Sequence, residues 1–62
     1  MQFLRFHTQE FPHLEAVGAR YVVVAIYGEW RDGDATNDPH RIPQLQRELR
    51  KRFMRRLEKN AA

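Results

Sequence analysis

The longest uninterrupted run of apolar positions, Tyr21 to Tyr27, spans seven residues. Extended to Arg20–Trp30, it predicts the main strand of the chain. Alternation along it puts Tyr21, Val23, Ala25 and Tyr27 on one face and Val22, Val24, Ile26 and Trp30 on the other. Both faces are apolar, so both call for cover. Upstream, Phe3, Leu4 and Phe6 among Gln2, Arg5 and His7 predict a strand over Met1–Thr8. Phe11–Gly18 supports two readings. Pro12 suits the first position of a short helix and Gly18 the residue just past its end. Alternatively, Leu14–Val17 extends a strand and Gly18 marks a bulge.

Beyond Trp30 the period changes. Asp32-Gly33 and Asn37-Asp38-Pro39 are turn-forming combinations, so residues 31–42 read as a loop. Leu45, Leu49, Phe53 and Leu57 then recur every four residues, with Ile42 on the same side. At 100° per residue they form a stripe about 120° wide, suited to lying on a sheet. Pro43 belongs in a first turn and would kink a helix begun earlier, which favours a turn over 39–42 and a helix over 43–60. Arg56 falls inside the apolar sector. Either its stem snorkels at the edge, or helix–sheet contact ends before the last turn and residues 55–62 protrude. The fold class that follows is α+β: a small two- or three-stranded antiparallel sheet packed on one long C-terminal amphipathic basic helix, in a single small domain covering residues 1–62.

Size sharpens this picture. A chain of 62 residues hides only about 60% of the surface its unfolded form exposes, and scaffolds this small usually need a staple. With no cysteine in the sequence, disulfides and thiolate metal sites are excluded. A second subunit is the remaining staple, so a homodimer is expected, joined through the other sheet face or the protruding helix end. No apolar run approaches the roughly 18–20 residues of a membrane span. The N-terminus lacks the basic and apolar regions of a signal peptide, which implies a cytoplasmic protein.

Charge is segregated. Arg41–Lys59 holds eight of the eleven basic residues (Arg41, Arg47, Arg50, Lys51, Arg52, Arg55, Arg56 and Lys59) against Glu48 and Glu58. Residues 1–40 carry Arg5, Arg20 and Arg31 against Glu10, Glu15, Glu29, Asp32, Asp34 and Asp38. The net charge of +3 therefore combines a +6 segment with a −3 one. Arg47, Lys51, Arg55 and Lys59 make a row about 18 Å long on a helix. Like charges at this spacing repel by a few tenths of a kcal/mol each, while Glu48 is placed to pair with Arg52. Basic residues near a helix C-terminus favour the macrodipole, and a charged face is ordinarily the solvated one. The dipole effect fades beyond the last turn, however, and the row begins three turns earlier. Arg47, Arg50, Lys51, Arg55 and Lys59 are the candidate phosphate-binding residues, since guanidinium forks suit phosphate and a polyanion would offset the repulsion.

Other chemistries are poorly supplied. Serine and cysteine are both absent, which excludes their nucleophilic chemistry. The acidic run Asp32–Asp38 fails the EF-hand pattern, since its sixth position is Asn37 and its twelfth is Pro43. It reads as a capped acidic turn, or as a receiver for a basic helix of another subunit. His7, His13 and His40 lack ligand spacing. Tyr21, Tyr27 and Trp30 suit stacking on unpaired bases only if exposed. The sequence thus points to a non-catalytic accessory or regulatory protein, without cofactor or metal, binding nucleic acid, DNA ahead of RNA. The alternative is a small inhibitor or adaptor that docks on an acidic protein. A basic helix lying on an anionic membrane is disfavoured because it would expose the stripe the core needs.

Overall fold

A computed structural model describes residues 3–61, with side chains through Lys59. Met1 and Gln2, where the expected first strand begins, lie outside the described residues, as does Ala62. The described chain is a three-stranded antiparallel sheet followed by a C-terminal helix. The strands are β1 (Arg5–Glu10), β2 (Tyr21–Tyr27) and β3 (Trp30–Thr36), in the order β1-β2-β3, and helix α1 is Ile42–Ala61.

Strand β3 corrects the sequence reading. Residues 31–42 are not a loop, and the strand expected over Arg20–Trp30 ends at Tyr27. Gly28 takes φ +59° and, among the described residues, no non-glycine residue has positive φ, so Gly28-Glu29 is a two-residue turn with its positive-φ residue first. Tyr27 pairs with Trp30 across it, and the register continues through Ala25 opposite Asp32 to Tyr21 opposite Thr36. Cross-strand partners share a face, so Trp30 lies with Tyr27 rather than with Val22, Val24 and Ile26. The first strand is likewise displaced from Met1–Thr8 to Arg5–Glu10, because Glu10 still pairs with Tyr21.

The Phe11–Gly18 segment resolves to a 3₁₀ helix over Pro12–Val17. Gly18 closes it at φ +78° and donates its N–H to the Glu15 carbonyl. Asn37 ties this segment to the end of β3: its Nδ2 donates to the Glu15 carbonyl at 2.8 Å, and its Oδ1 accepts the Arg20 N–H at 3.2 Å. Thr36 is buried, and its Oγ1 accepts the Asp38 N–H at 3.1 Å. A short 3₁₀ turn, Pro39–Arg41, then leads directly into α1. The helix therefore begins at Ile42 and runs to Ala61, slightly longer at both ends than the expected 43–60.

The core lies between α1 and the β2 face bearing Val23 and Ala25. Those two residues and Leu45, Leu49 and Phe53 are its buried hydrophobic members. Leu4, Phe6, Trp30 and Ile42 pack around it. Phe53 closes one end, its ring 4.9 Å from Tyr27 and 5.2 Å from Trp30. Val22, Val24 and Ile26 point to the other face and are only half-buried.

Candidate nucleic-acid interface

Phe53 is 7% exposed, but Met54 and Leu57 are 51% and 43% exposed, and every residue from Met54 to Lys59 is on the surface. Contact with the sheet thus ends at Phe53 while the helix continues. The overhang shows in the shape, 41 Å long against 19 and 17 Å in the other directions. Of the two readings of Arg56, the protruding arm is the one observed. Beyond the sheet, a cation in the apolar sector has nothing to desolvate it.

The cations of α1 divide into engaged and free. Arg52 turns toward β3, where its Nε lies 3.2 Å from Asp32 and its Nη2 3.7 Å from Asp34. Nη2 also approaches the Gly33 carbonyl at 3.5 Å. The acidic stretch read as a turn, or as a receiver for another subunit, is thus a strand that takes the chain's own helix. Glu48, expected to pair with Arg52, accepts instead from Gln44 Nε2 at 3.4 Å. Two carboxylates beneath the helix outcompete one beside it, because the sheet holds them in place at no further ordering cost.

The predicted site residues lie elsewhere on the helix. Arg47, Lys51, Arg55 and Lys59 are exposed, and among the described residues none forms an ion pair. Arg50 lies on the β1 side with its guanidinium 5.7 Å from the centre of the Phe6 ring, a cation–π contact. Arg47, Arg50, Lys51 and Arg55 come together around an open depression of about 530 Å³ with Met54 and Glu58 in its lining. Lys59 is separate: it joins Arg52, Arg55 and Arg56 around another depression of about 300 Å³. Arg56 is thus a member of the charged surface that the predicted set left out. Its anomalous place in the apolar stripe was the available signal.

The remaining charge is held in local pairs. Arg20 sits 2.9 Å from Glu10 and 3.5 Å from Glu15 and lies over the Tyr21 ring at 5.7 Å. The hydrogen bond to Glu10 raises its pKa further above the ordinary guanidinium value. Asp38 caps the turn before α1, its Oδ1 accepting the His40 N–H at 2.9 Å. That backbone bond, aided by the His40 side chain, holds its carboxyl below the usual range. Tyr27 and Trp30, considered for base stacking, are spent around Phe53. His7 lies exposed on the outer face of β1, and His13 stands edge-on to Phe11 at 6.0 Å. Among the described residues no three side chains of metal-ligating type converge, and no helix is long and apolar enough to cross a membrane. Compared with protein families, with curated proteins and with solved structures, the chain returns no match.

Proposed function

We propose that this chain is a small, non-catalytic nucleic-acid-binding accessory protein of the cytoplasm, acting as a homodimer and contacting phosphates through the outer side of α1. The observation that carries the reading is the contrast between cations. Arg20 and Arg52 are ion-paired with carboxylates, whereas Arg47, Lys51, Arg55 and Lys59 stand in one exposed row and, among the described residues, form no ion pair. Such a row is held against its own repulsion and gains from a polyanion, whose bound counterions are released on contact. The overhang past Phe53 carries Arg55 and Lys59 and lets the last two helical turns approach a ligand without obstruction by the sheet.

The contacts foreseen are with phosphates, so they position the protein and carry little sequence information. The homodimer is supported by the small core, which holds five buried hydrophobic residues among those described. A duplex ranks ahead of a single strand because Tyr27 and Trp30 are engaged around Phe53 rather than placed to stack on unpaired bases, and DNA is the duplex proposed ahead of RNA. The test is a mobility-shift titration at low salt, comparing wild type with an Arg47/Lys51/Arg55→Ala triple variant. Binding lost in the variant, whose folding is checked by circular dichroism, supports the proposal. Equal binding by the two proteins, or none by either, overturns it. A pull-down insensitive to nuclease, with weak salt dependence, would favour the acidic-protein partner instead.

A further inference from the structure

We infer that the dimer seam is the free edge of β1, where two copies pair antiparallel about Thr8 to form one six-stranded sheet. The inference rests on the homodimer proposed above and assigns its interface.

The two sheet edges are not alike. A two-residue hairpin hydrogen-bonds its closing pair, so Tyr27–Trp30, Ala25–Asp32 and Val23–Asp34 exchange bonds, and the main-chain groups of Arg31, Gly33 and Ala35 point outward. Both N–H groups of Gly33 and Ala35 and the Gly33 carbonyl are already occupied. The Gly33 N–H donates to Asp32 Oδ1 at 2.8 Å, and the Ala35 N–H to Asp34 Oδ1 at 2.9 Å. The Gly33 carbonyl faces Arg52 Nη2. Three charged side chains thus close this edge to strand addition, as protected edges generally are.

Among the described residues the β1 edge has no such cover. The Phe11 N–H donates to the Arg20 carbonyl at 2.6 Å, continuing the ladder in which Glu10 pairs with Tyr21. Inward-bonding residues of β1 are therefore the odd ones, and Phe6, Thr8 and Glu10 turn their N–H and C=O groups outward. Among the described residues no other segment bonds to those groups. Because charged side chains guard the middle of β3, a β1-to-β3 chain of copies is disfavoured, and the pairing that follows is two-fold, β1 on β1.

Charge selects the register. Centred on Thr8, the two-fold sets Glu10 of each copy opposite Phe6 of the other. Above that Phe6 lies the guanidinium of Arg50, which among the described residues forms no ion pair. Each seam contact then adds Arg50 to the Glu10 carboxylate that already holds Arg20, twice by symmetry. A two-fold perpendicular to the sheet also keeps both α1 helices on the same face.

Thr8→Pro tests the seam. Proline at an outward-facing edge position is tolerated in a lone sheet but removes the N–H that the central pair needs from both copies. Sedimentation should show a wild-type dimer and, for Thr8→Pro, a dissociation constant raised by about tenfold or more with unchanged circular dichroism. A second measurement covers misfolding of that variant: in concentrated wild type the Phe6, Thr8 and Glu10 amides should resist hydrogen exchange, and lose that protection on dilution. A dimer indifferent to Thr8→Pro, or rapid exchange of those amides in the dimer, overturns the seam while leaving the dimer standing. A wild-type monomer at hundreds of micromolar overturns both.

Discussion

Phe53 and Leu57 occupy equivalent places in the apolar stripe, one helical turn apart, yet the structure gives them different energetic weight. Phe53 is buried between Tyr27 and Trp30 and is the last residue by which the sheet holds α1. Truncating a buried phenylalanine to alanine costs about 3–5 kcal/mol, from lost burial and the cavity left behind. Chains of this size are stable by only about 3–9 kcal/mol in all, taking about 0.05–0.15 kcal/mol per residue. Phe53→Ala should therefore remove about a third or more of the total stability, and unfold the protein at room temperature where the total lies at the low end of that range. Leu57 is 43% exposed, so its truncation forfeits only part of a leucine's burial, about 1 kcal/mol. Urea titrations followed by circular dichroism and by the fluorescence of Trp30, which senses Phe53 directly, compare the two variants. A Leu57→Ala loss equal to that of Phe53→Ala would refute the reasoning. It would mean that the overhanging turns are buried by something, and the first candidate would be a second copy docked on the arm rather than along β1.

Two further outcomes bear on how α1 is set on the sheet. Arg52→Met should cost about 0.5–1 kcal/mol, because its two carboxylate partners are partly solvated. A double-mutant cycle with Asp32→Asn, repeated at high salt, should show the coupling shrink, and a coupling insensitive to salt would contradict this account. The capping carboxylate of Asp38 is held below its ordinary pKa by the His40 N–H, so the unfolded chain takes up its proton first. The associated stability is complete above the ordinary aspartate value of about 3.9 and is lost as pH falls through the lower folded value. The melting temperatures of wild type and Asp38→Asn should thus differ at neutral pH and converge in acid, and a gap that stays constant with pH would count against the cap.

What the sequence revealed depended on whether the information was local. The Leu45–Leu49–Phe53 stripe, the apolar run of β2 and the exposure of Arg47, Lys51 and Arg55 all follow from periodicity, and the structure places them accordingly. Strand β3 was illegible because Trp-Arg-Asp-Gly-Asp-Ala-Thr has poor intrinsic strand preference and contains a turn-forming Asp-Gly. Pairing with β2 and the grip of Arg52 override that preference, and both are non-local. One local sign was present: Gly28-Glu29 between two aromatic residues is a two-residue hairpin signal, hidden inside what reads as a single strand. At the candidate site, periodicity placed every cation around the helix but could not tell which would be neutralised. Arg52 and Arg56 lie near each other on the wheel, and only the end of the sheet separates an ion-paired strap from a free cation.

The seam on β1 and the basic row on α1 constrain each other. Helix α1 packs over β2 and β3, so in a six-stranded sheet with strands about 4.8 Å apart the two helices would lie about 19 Å from one another. Helices that read successive major grooves stand about 34 Å apart, so this pair cannot occupy two such half-sites. Both helices instead face the same way, and Arg50 is drawn into the seam. That leaves Arg47, Lys51, Arg55 and Lys59 of each copy to meet one stretch of backbone. At about 0.9 in log–log slope per neutralised phosphate, four contacts give about −3.6 and the dimer about −7. The salt dependence of binding therefore counts copies as well as charges. A slope near −7 in wild type that halves in Thr8→Pro would tie the phosphate row to the strand seam. A slope near −3.6 in both would mean that one helix binds alone, whatever the oligomeric state.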